Sequence, residues 1–192
     1  NTITSSSGTG DTVLSQANKY PYNWITQTES ITKAATMNNE KTNVTAGLIN
    51  GAAWDRTLNW ILETNSNMSL ADINEDSTSW GNYYNTKFNF TGKYSTDLGN
   101  EFTETAASIE KPENSRYLLG TGVTDYTKKN NIYDLAGNCW EWTTKSYSSG
   151  IRVGRGGNFS NNVLYVLAHT RVVDPPRYSD GISFRSSLYV NL

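Results

Sequence analysis

Apolar residues along the chain keep a helical spacing in two places only. Between Ala52 and Leu62, Trp54, Leu58, Ile61 and Leu62 recur at i, i+4, i+7 and i+8, one face of a helix that follows Asn50-Gly51. A shorter helix is expected from about Thr28, with Thr28 or Ser30 as its cap and Ile31, Ala34, Ala35 and Asn38 along one side. The last stretch, Ser183 to Val190, alternates loosely through Phe184, Ser186, Leu188 and Val190 and reads as a strand. Residues 1–12 are small, polar and without period, which predicts a loop or frayed arm. From Asn65 to Lys129 only short apolar islands stand out, Phe88-Asn-Phe90 and Tyr117-Leu-Leu119, so long loops are expected there. No repeat or low-complexity linker divides the chain. The expectation is one domain over residues 1–192, of α+β class, with two helices on a small, irregular, mostly antiparallel sheet.

Composition agrees with a loop-rich fold held by aromatic anchors. Asn, Thr and Ser make up 67 of the 192 residues, while apolar residues reach 36% and charged residues 18%. Six Trp and twelve Tyr supply the large buried area that the scarce aliphatics do not. Net charge is −2 and the basic residues are scattered, which argues against a nucleic-acid groove. No apolar run is long enough for a membrane-spanning helix. Cys139 is the single cysteine, so an internal disulfide and a multi-cysteine metal site are both excluded. Its setting between Asn138 and Trp140 is that of a small buried side chain.

The most specific stretch is Ile132-Tyr-Asp-Leu-Ala-Gly-Asn-Cys-Trp-Glu-Trp142. It is followed by Arg155-Gly-Gly-Asn-Phe159 and Gly181-Ile-Ser-Phe-Arg185, and preceded by Leu48-Ile-Asn-Gly-Ala-Ala-Trp54-Asp. In that order and spacing these blocks resemble the formylglycine-generating-enzyme (sulfatase-modifying factor) family. The resemblance runs from about residue 46 to the end and implies a C-type-lectin-like fold. Gly137 suits a backbone position needing positive φ or close approach. Trp140 and Trp142, two apart on a strand, share one face, and Glu141 points to the other. Some members of the family bind calcium near this block. Here Asn138 and Glu141 are the candidate ligands, few for a cation that takes six to eight oxygens; no other cofactor is implied.

Catalysis of the family type is not expected. The formylglycine-generating enzymes act through a pair of cysteines after Arg-Gly-Gly, and no cysteine lies between Gly157 and Gly181. The iron-dependent relatives need several histidines, and His169 is the only one. Asp174 and Asp180 flank Pro175-Pro176 as ordinary turn carboxylates, and no nucleophile-elbow spacing supports a Ser-His-Asp site.

Between the last two blocks, residues 158–180 keep neither a strand nor a helix period. Lys, Glu, Gln, Met and Trp occur 28 times in residues 1–145 and never in 146–192, where the earlier frequency would place about nine. These five are the residues that codons ending in a pyrimidine cannot encode. Mutation of Asn codons at their adenines draws only on the other fifteen, so the pattern resembles the variable proteins of diversity-generating retroelements. A strand-rich terminus poor in long polar residues is the alternative source of the bias. The resemblance implies a binding surface at Ser160, Asn162, Tyr165, His169, Val172, Val173, Arg177, Tyr178, Ser179 and Asp180. Leu164, Leu167, Ala168 and Arg171 are expected to be inward or framework, and Pro175-Pro176 to stiffen the loop.

The function expected is non-catalytic recognition of a protein or glycan receptor on a cell surface. The setting would be a phage tail fibre (the virion) or the bacterial cell surface, with a homo-oligomer possible within a larger fibre. A structural module of a virion or surface assembly, a sugar-binding lectin and a formylglycine-type enzyme relative are the alternatives. Exposure of Tyr165 and Tyr178 would separate the structural module from the binder.

Overall fold

The structure, a computed structural model, describes residues 13, 15–37, 40–164, 166–175 and 179–190. The expected N-terminal arm over 1–12, and Asn38, Tyr165, Pro176, Arg177 and Tyr178, lie outside the described residues.

Helix α1 (Gln27–Ala35) starts two residues earlier than its period suggests, because Thr26 rather than Thr28 or Ser30 is the cap. Thr26 accepts from the Glu29 N–H, and the Glu29 carboxylate accepts from the Thr26 N–H at 2.9 Å, a reciprocal capping box. Ala34 is buried, whereas Ile31 faces solvent. Strand β1 (Val44–Leu48) leads into helix α2 (Gly51–Thr64), capped by Asn50 Oδ1 accepting from Ala53 N at 2.8 Å. The apolar stripe of α2 buries Trp54, Leu58 and Ile61. A third helix, α3 (Leu70–Asn74), corrects the expectation of two. It is too short to show a period in sequence, but Ser69 and Asp72 cap it reciprocally and Ile73 is buried.

The segment from Asn65 to Lys129, read as loops, contains a long hairpin of β2 (Phe88–Ser95) and β3 (Thr103–Lys111), extended by β4 (Leu118–Leu119) beside β2. In β2, Phe88 and Phe90 are buried and Asn89 and Thr91 exposed, so the alternation was present but short. It stops at Gly92, where the register slips, and β3 is largely exposed and carries little apolar signal. A small pair, β5 (Lys128–Lys129) and β6 (Ile132–Tyr133), precedes the main sheet.

The main sheet contains β7 (Trp140–Ser148), β8 (Ile151–Arg155), β9 (Arg171–Asp174) and β10 (Ile182–Phe184), in the order β10-β7-β8-β9. Only the β7–β10 contact is parallel. The expected terminal strand is divided at Arg185: β10 pairs with β7, and β11 (Ser186–Val190) pairs antiparallel with β1. Phe184 and Ser186 therefore belong to different sheets, and Leu188 and Val190 are exposed rather than one buried face.

Trp140 and Trp142 share one face of the main sheet and pack with Ile25, Ala34, Leu48 and Ile182. Trp142 Nε1 donates to Ile25 O at 2.9 Å, which satisfies its only polar atom. A second core joins Trp54, Ile61, Trp80 and Tyr83 to Val163 and Ala168 of the C-terminal segment. Among the described residues, no helix is long and apolar enough to cross a membrane.

Two glycines with similar backbones test this packing. Gly137 (φ +73°) would place a Cβ 2.2 Å from the Asn82 carbonyl oxygen, whereas Gly150 (φ +78°) would meet nothing within 4 Å. Gly150→Ala should cost only the left-handed penalty of about 1–2 kcal/mol. Gly137→Ala adds a backbone clash and should cost well over twice as much. Urea midpoints of the two variants measure the difference.

Candidate binding surface

The widely separated blocks of the sequence converge on one face of the main sheet. Ser183, Glu141, Arg155 and Arg171 lie directly opposite one another across its four strands, and so project on the same side. Arg185 clasps Glu141 with two bonds, Nε to Oε2 at 2.9 Å and Nη2 to Oε1 at 2.7 Å, and Nη2 also donates to Tyr133 O at 2.9 Å. Burial works against the Arg185 charge, but Glu141, with Asp134 further off, carries the guanidinium above its usual range. Arg155 is 0% exposed, lies over the Trp54 ring at 5.8 Å and ion-pairs with Asp55 through Nη2. Its Nε and Nη1 are buried without a partner among the described residues. Asp55 also receives Arg171 Nη2 at 2.6 Å, so one carboxylate on α2 holds two strands.

The side-chain oxygens of Asn138 and Glu141, the candidate calcium ligands, have hydrogen-bond partners within the protein. The Asn138 side chain bonds Asn82 at 3.0 Å and both backbone groups of Leu119, while both Glu141 oxygens face Arg185. Among the described residues, no three His, Cys, Asp or Glu side chains gather where they could hold a metal ion. Cys139 is buried, and burial pushes its thiol well above the ordinary range.

Segment 158–180 is fastened mainly through its backbone. Within the turn, Asn161 Oδ1 accepts from Asn158 N, Asn158 Oδ1 from Ser160 N and Asn162 Oδ1 from Leu164 N. The body of the domain supplies the other bonds. Tyr84 N donates to Asn161 O (2.8 Å), Asn85 Oδ1 accepts from Val163 N (2.9 Å), and Trp24 N and Asn23 Nδ2 donate to Ser179 O and Asp180 O. Ala168 is held from both sides, its N–H by Ser77 Oγ and its carbonyl by Trp54 Nε1.

The side chains divide differently from the expectation. Leu164, expected inward, is 75% exposed, because its turn is closed by the Asn162 side chain and its neighbour Val163 takes the core position at 2%. Val172, expected at the surface, is half-buried against the Trp140–Trp142 cluster, since it shares a row with Gly154 and Trp142. Val173 on the opposite face is 49% exposed. Arg171, expected to be framework, is exposed yet tied to Asp55. Leu167 and Ala168 do pack inward. His169 is half-buried with Nδ1 3.1 Å from Ile73 O, which fixes the ring against α3. Ser160, Asn162, Ser179 and Asp180 are half-buried.

These residues do not all meet in one patch. Val172 and Val173 are on β9, while Ser179 and Asp180 enter β10, and those strands are opposite edges of the sheet, roughly 14 Å apart at three interstrand spacings. Sequence reasoning missed Tyr84, Asn85 and Asp55 as supports. Asp55 was in view beside Trp54 in the first block, but Tyr84 and Asn85 carry no local signal, because their partners lie more than seventy residues away. A cleft of about 520 Å³ also opens elsewhere, walled by Tyr20, Tyr22 and Phe184 and lined by Cys139, Glu141 and Arg185.

With this geometry in place, comparison with known proteins gives a consistent result. The model of the sulfatase-modifying factor enzyme 1-like domain matches residues 5–186. No curated protein matches the chain in sequence. Among solved structures, the crystal structure of CarF is similar with a TM-score of 0.51 at 12% identity, over 91% of this chain and 66% of CarF. Treponema denticola variable protein 1 is similar with a TM-score of 0.39 at 18% identity, over 77% of this chain and 48% of that protein. The chain thus spans less than two thirds of the length of either. The fold is α+β and C-type-lectin-like.

The charged layer makes two checkable statements. Arg185→Met leaves Glu141 buried without its partner and should cost roughly 3–5 kcal/mol, whereas adding Glu141→Leu should restore much of the loss; denaturant midpoints of the cycle measure this. Burial raises the Asp134 carboxyl above its ordinary range, against bonds from Gly122 N and Thr127 Oγ1. A raised folded-state value means that the native state binds more protons, so this group's contribution falls as pH rises from about 4 toward its folded value. Stability of Asp134→Asn relative to wild type should therefore improve with rising pH over that window. A constant difference would contradict the assignment.

Proposed function

Because the chain belongs to the sulfatase-modifying factor enzyme 1-like family, we propose that it keeps the family frame and uses residues 158–180 for recognition instead of catalysis. The receptor is a protein or glycan on a cell surface. The domain serves as a phage tail-fibre tip or a bacterial surface adhesin, within a larger assembly. One observation carries this reading: the segment is held by bonds from the body to its backbone, while Leu164 and Val173 point to solvent. A loop fixed through its main chain tolerates exchange of its outward side chains and presents them with little ordering cost.

Two further facts favour it. The family's catalysis runs through a cysteine pair after Arg-Gly-Gly, and the sole cysteine of this chain is Cys139, buried beside Phe159 outside that segment. The absence of Lys, Glu, Gln, Met and Trp from 146–192 matches codons rewritten at adenines. Calcium has no necessary part in this scheme; ligation by Glu141 would require it to leave Arg185.

Sibling sequences from the same locus test the proposal directly. Variation should fall at outward positions such as Leu164 and Val173 and spare Val163 and Ala168, which are buried. Variation spread evenly over the chain would overturn it. In the protein itself, Leu164→Asp with Val173→Asp should abolish retention on cells that bind wild type, while changing stability by no more than about 0.5 kcal/mol per site.

A further inference from the structure

Lys111, the last residue of β3, is fully buried, and among the described residues no carboxylate lies within ion-pair distance of it. Its ammonium is met by carbonyls: Thr86 O at 2.6 Å, with Tyr84 O and Pro112 O each at 3.5 Å, and by the Phe88 ring at 5.7 Å. An apolar side chain at this site would avoid the cost of burying an uncompensated charge. The charge is therefore best understood through what it holds.

It holds a loop with two sides. Tyr84 and Thr86 turn their carbonyls toward Lys111, the former shared with Ser115 N at 3.1 Å, while Tyr84 N and the Asn85 side chain face segment 158–180. Tyr84 N donates to Asn161 O, and Asn85 Oδ1 accepts from Val163 N. Thr86 closes the turn by donating from Oγ1 to Tyr83 O at 3.0 Å and accepting there from Tyr83 N. Tyr83 in turn donates its hydroxyl to Gly156 O at 2.8 Å, just before the segment begins. Every step from Lys111 to the backbone of the segment is one hydrogen bond.

We propose that Lys111 is a positioning residue for the recognition segment: its ammonium orients the Tyr84–Thr86 loop, and the loop sets the conformation of residues 158–163. The inference rests on the recognition reading for its purpose, but its test does not involve a receptor. Burial pushes the Lys111 ammonium down to about 8, with Glu113 pulling weakly the other way. The other charges near this end of β3, Lys87 and Glu110, pair with each other at 3.1 Å and are exposed. The charged lysine thus opposes global stability while ordering one loop, a combination that an ordinary core residue does not show.

Amide hydrogen exchange on the full chain at about pH 7 separates the two effects. In Lys111→Met, protection at Tyr84 and Val163 should fall by about tenfold or more, as expected for losing a charge-assisted contact. Protection at Leu58 and Ile61 of α2 should be unchanged or higher. Equal protection at all four amides, or a uniform loss, would overturn the proposal and leave the recognition reading standing. The same variant supplies a second measurement. A depressed folded value means the unfolded chain binds more protons at Lys111 above about pH 8, so the stability of wild type relative to Lys111→Met should rise from there toward about pH 10. A difference in urea midpoint that stays flat or falls over that range would show that Lys111 is not a buried cation.

Discussion

The fold turns on charge that is buried and paired across distant parts of the chain. Glu141 and Arg185 are 44 residues apart, and their two-bond clasp joins the Trp-Glu-Trp strand to the point where β10 gives way to β11. Arg155 and Arg171 meet on Asp55 and tie the other half of the sheet to α2. A guanidinium out of water tolerates little displacement of its partner, since leaving either charge alone is far more costly than keeping both. That constraint holds the register of β8, β9 and β10, which at five, four and three residues are too short to be specified by their own hydrophobic patterns.

Such a frame can carry a segment that has almost no structure of its own. Among the described residues, 158–180 contribute three fully buried anchors to the core, Phe159, Val163 and Ala168, and one four-residue edge strand. Its described backbone is further bonded by Trp24, Asn23, Ser77, Tyr84 and Asn85, and Arg171 adds its ion pair with Asp55. Bonds to the backbone are indifferent to side-chain identity, so the conformation does not depend on which residues face outward. On the proposed reading, position and chemistry are thereby separated: the body determines where the surface is, and the exposed side chains determine what it touches.

Much of the frame was readable from local pattern. The α2 stripe of Trp54, Leu58 and Ile61, the shared face of Trp140 and Trp142, and the buried setting of Cys139 all followed from spacing and neighbours. The β2–β3 hairpin was not, because a bulge at Gly92 broke its alternation and β3 faces water. The helix α3 escaped because five residues hold less than two turns of period. Leu164 and Val172 exchanged their expected places for a related reason: a period of two means nothing until the first residue of a strand is known, and an Asx turn starts that count afresh.

By itself the sequence determined the family and the fold class, and it marked 158–180 as the segment without a strand or helix period, since motif spacing and composition are properties of the linear chain. Only the tertiary structure decided which side chains of that segment face solvent, that Asp55 serves two arginines, and that Lys111 stands behind the loop supporting Asn161 and Val163. Those facts are contacts between residues many tens of positions apart. They exist only once the chain has closed on itself, and a pairing made at a distance leaves no period, cap or turn signal for a local reading to find.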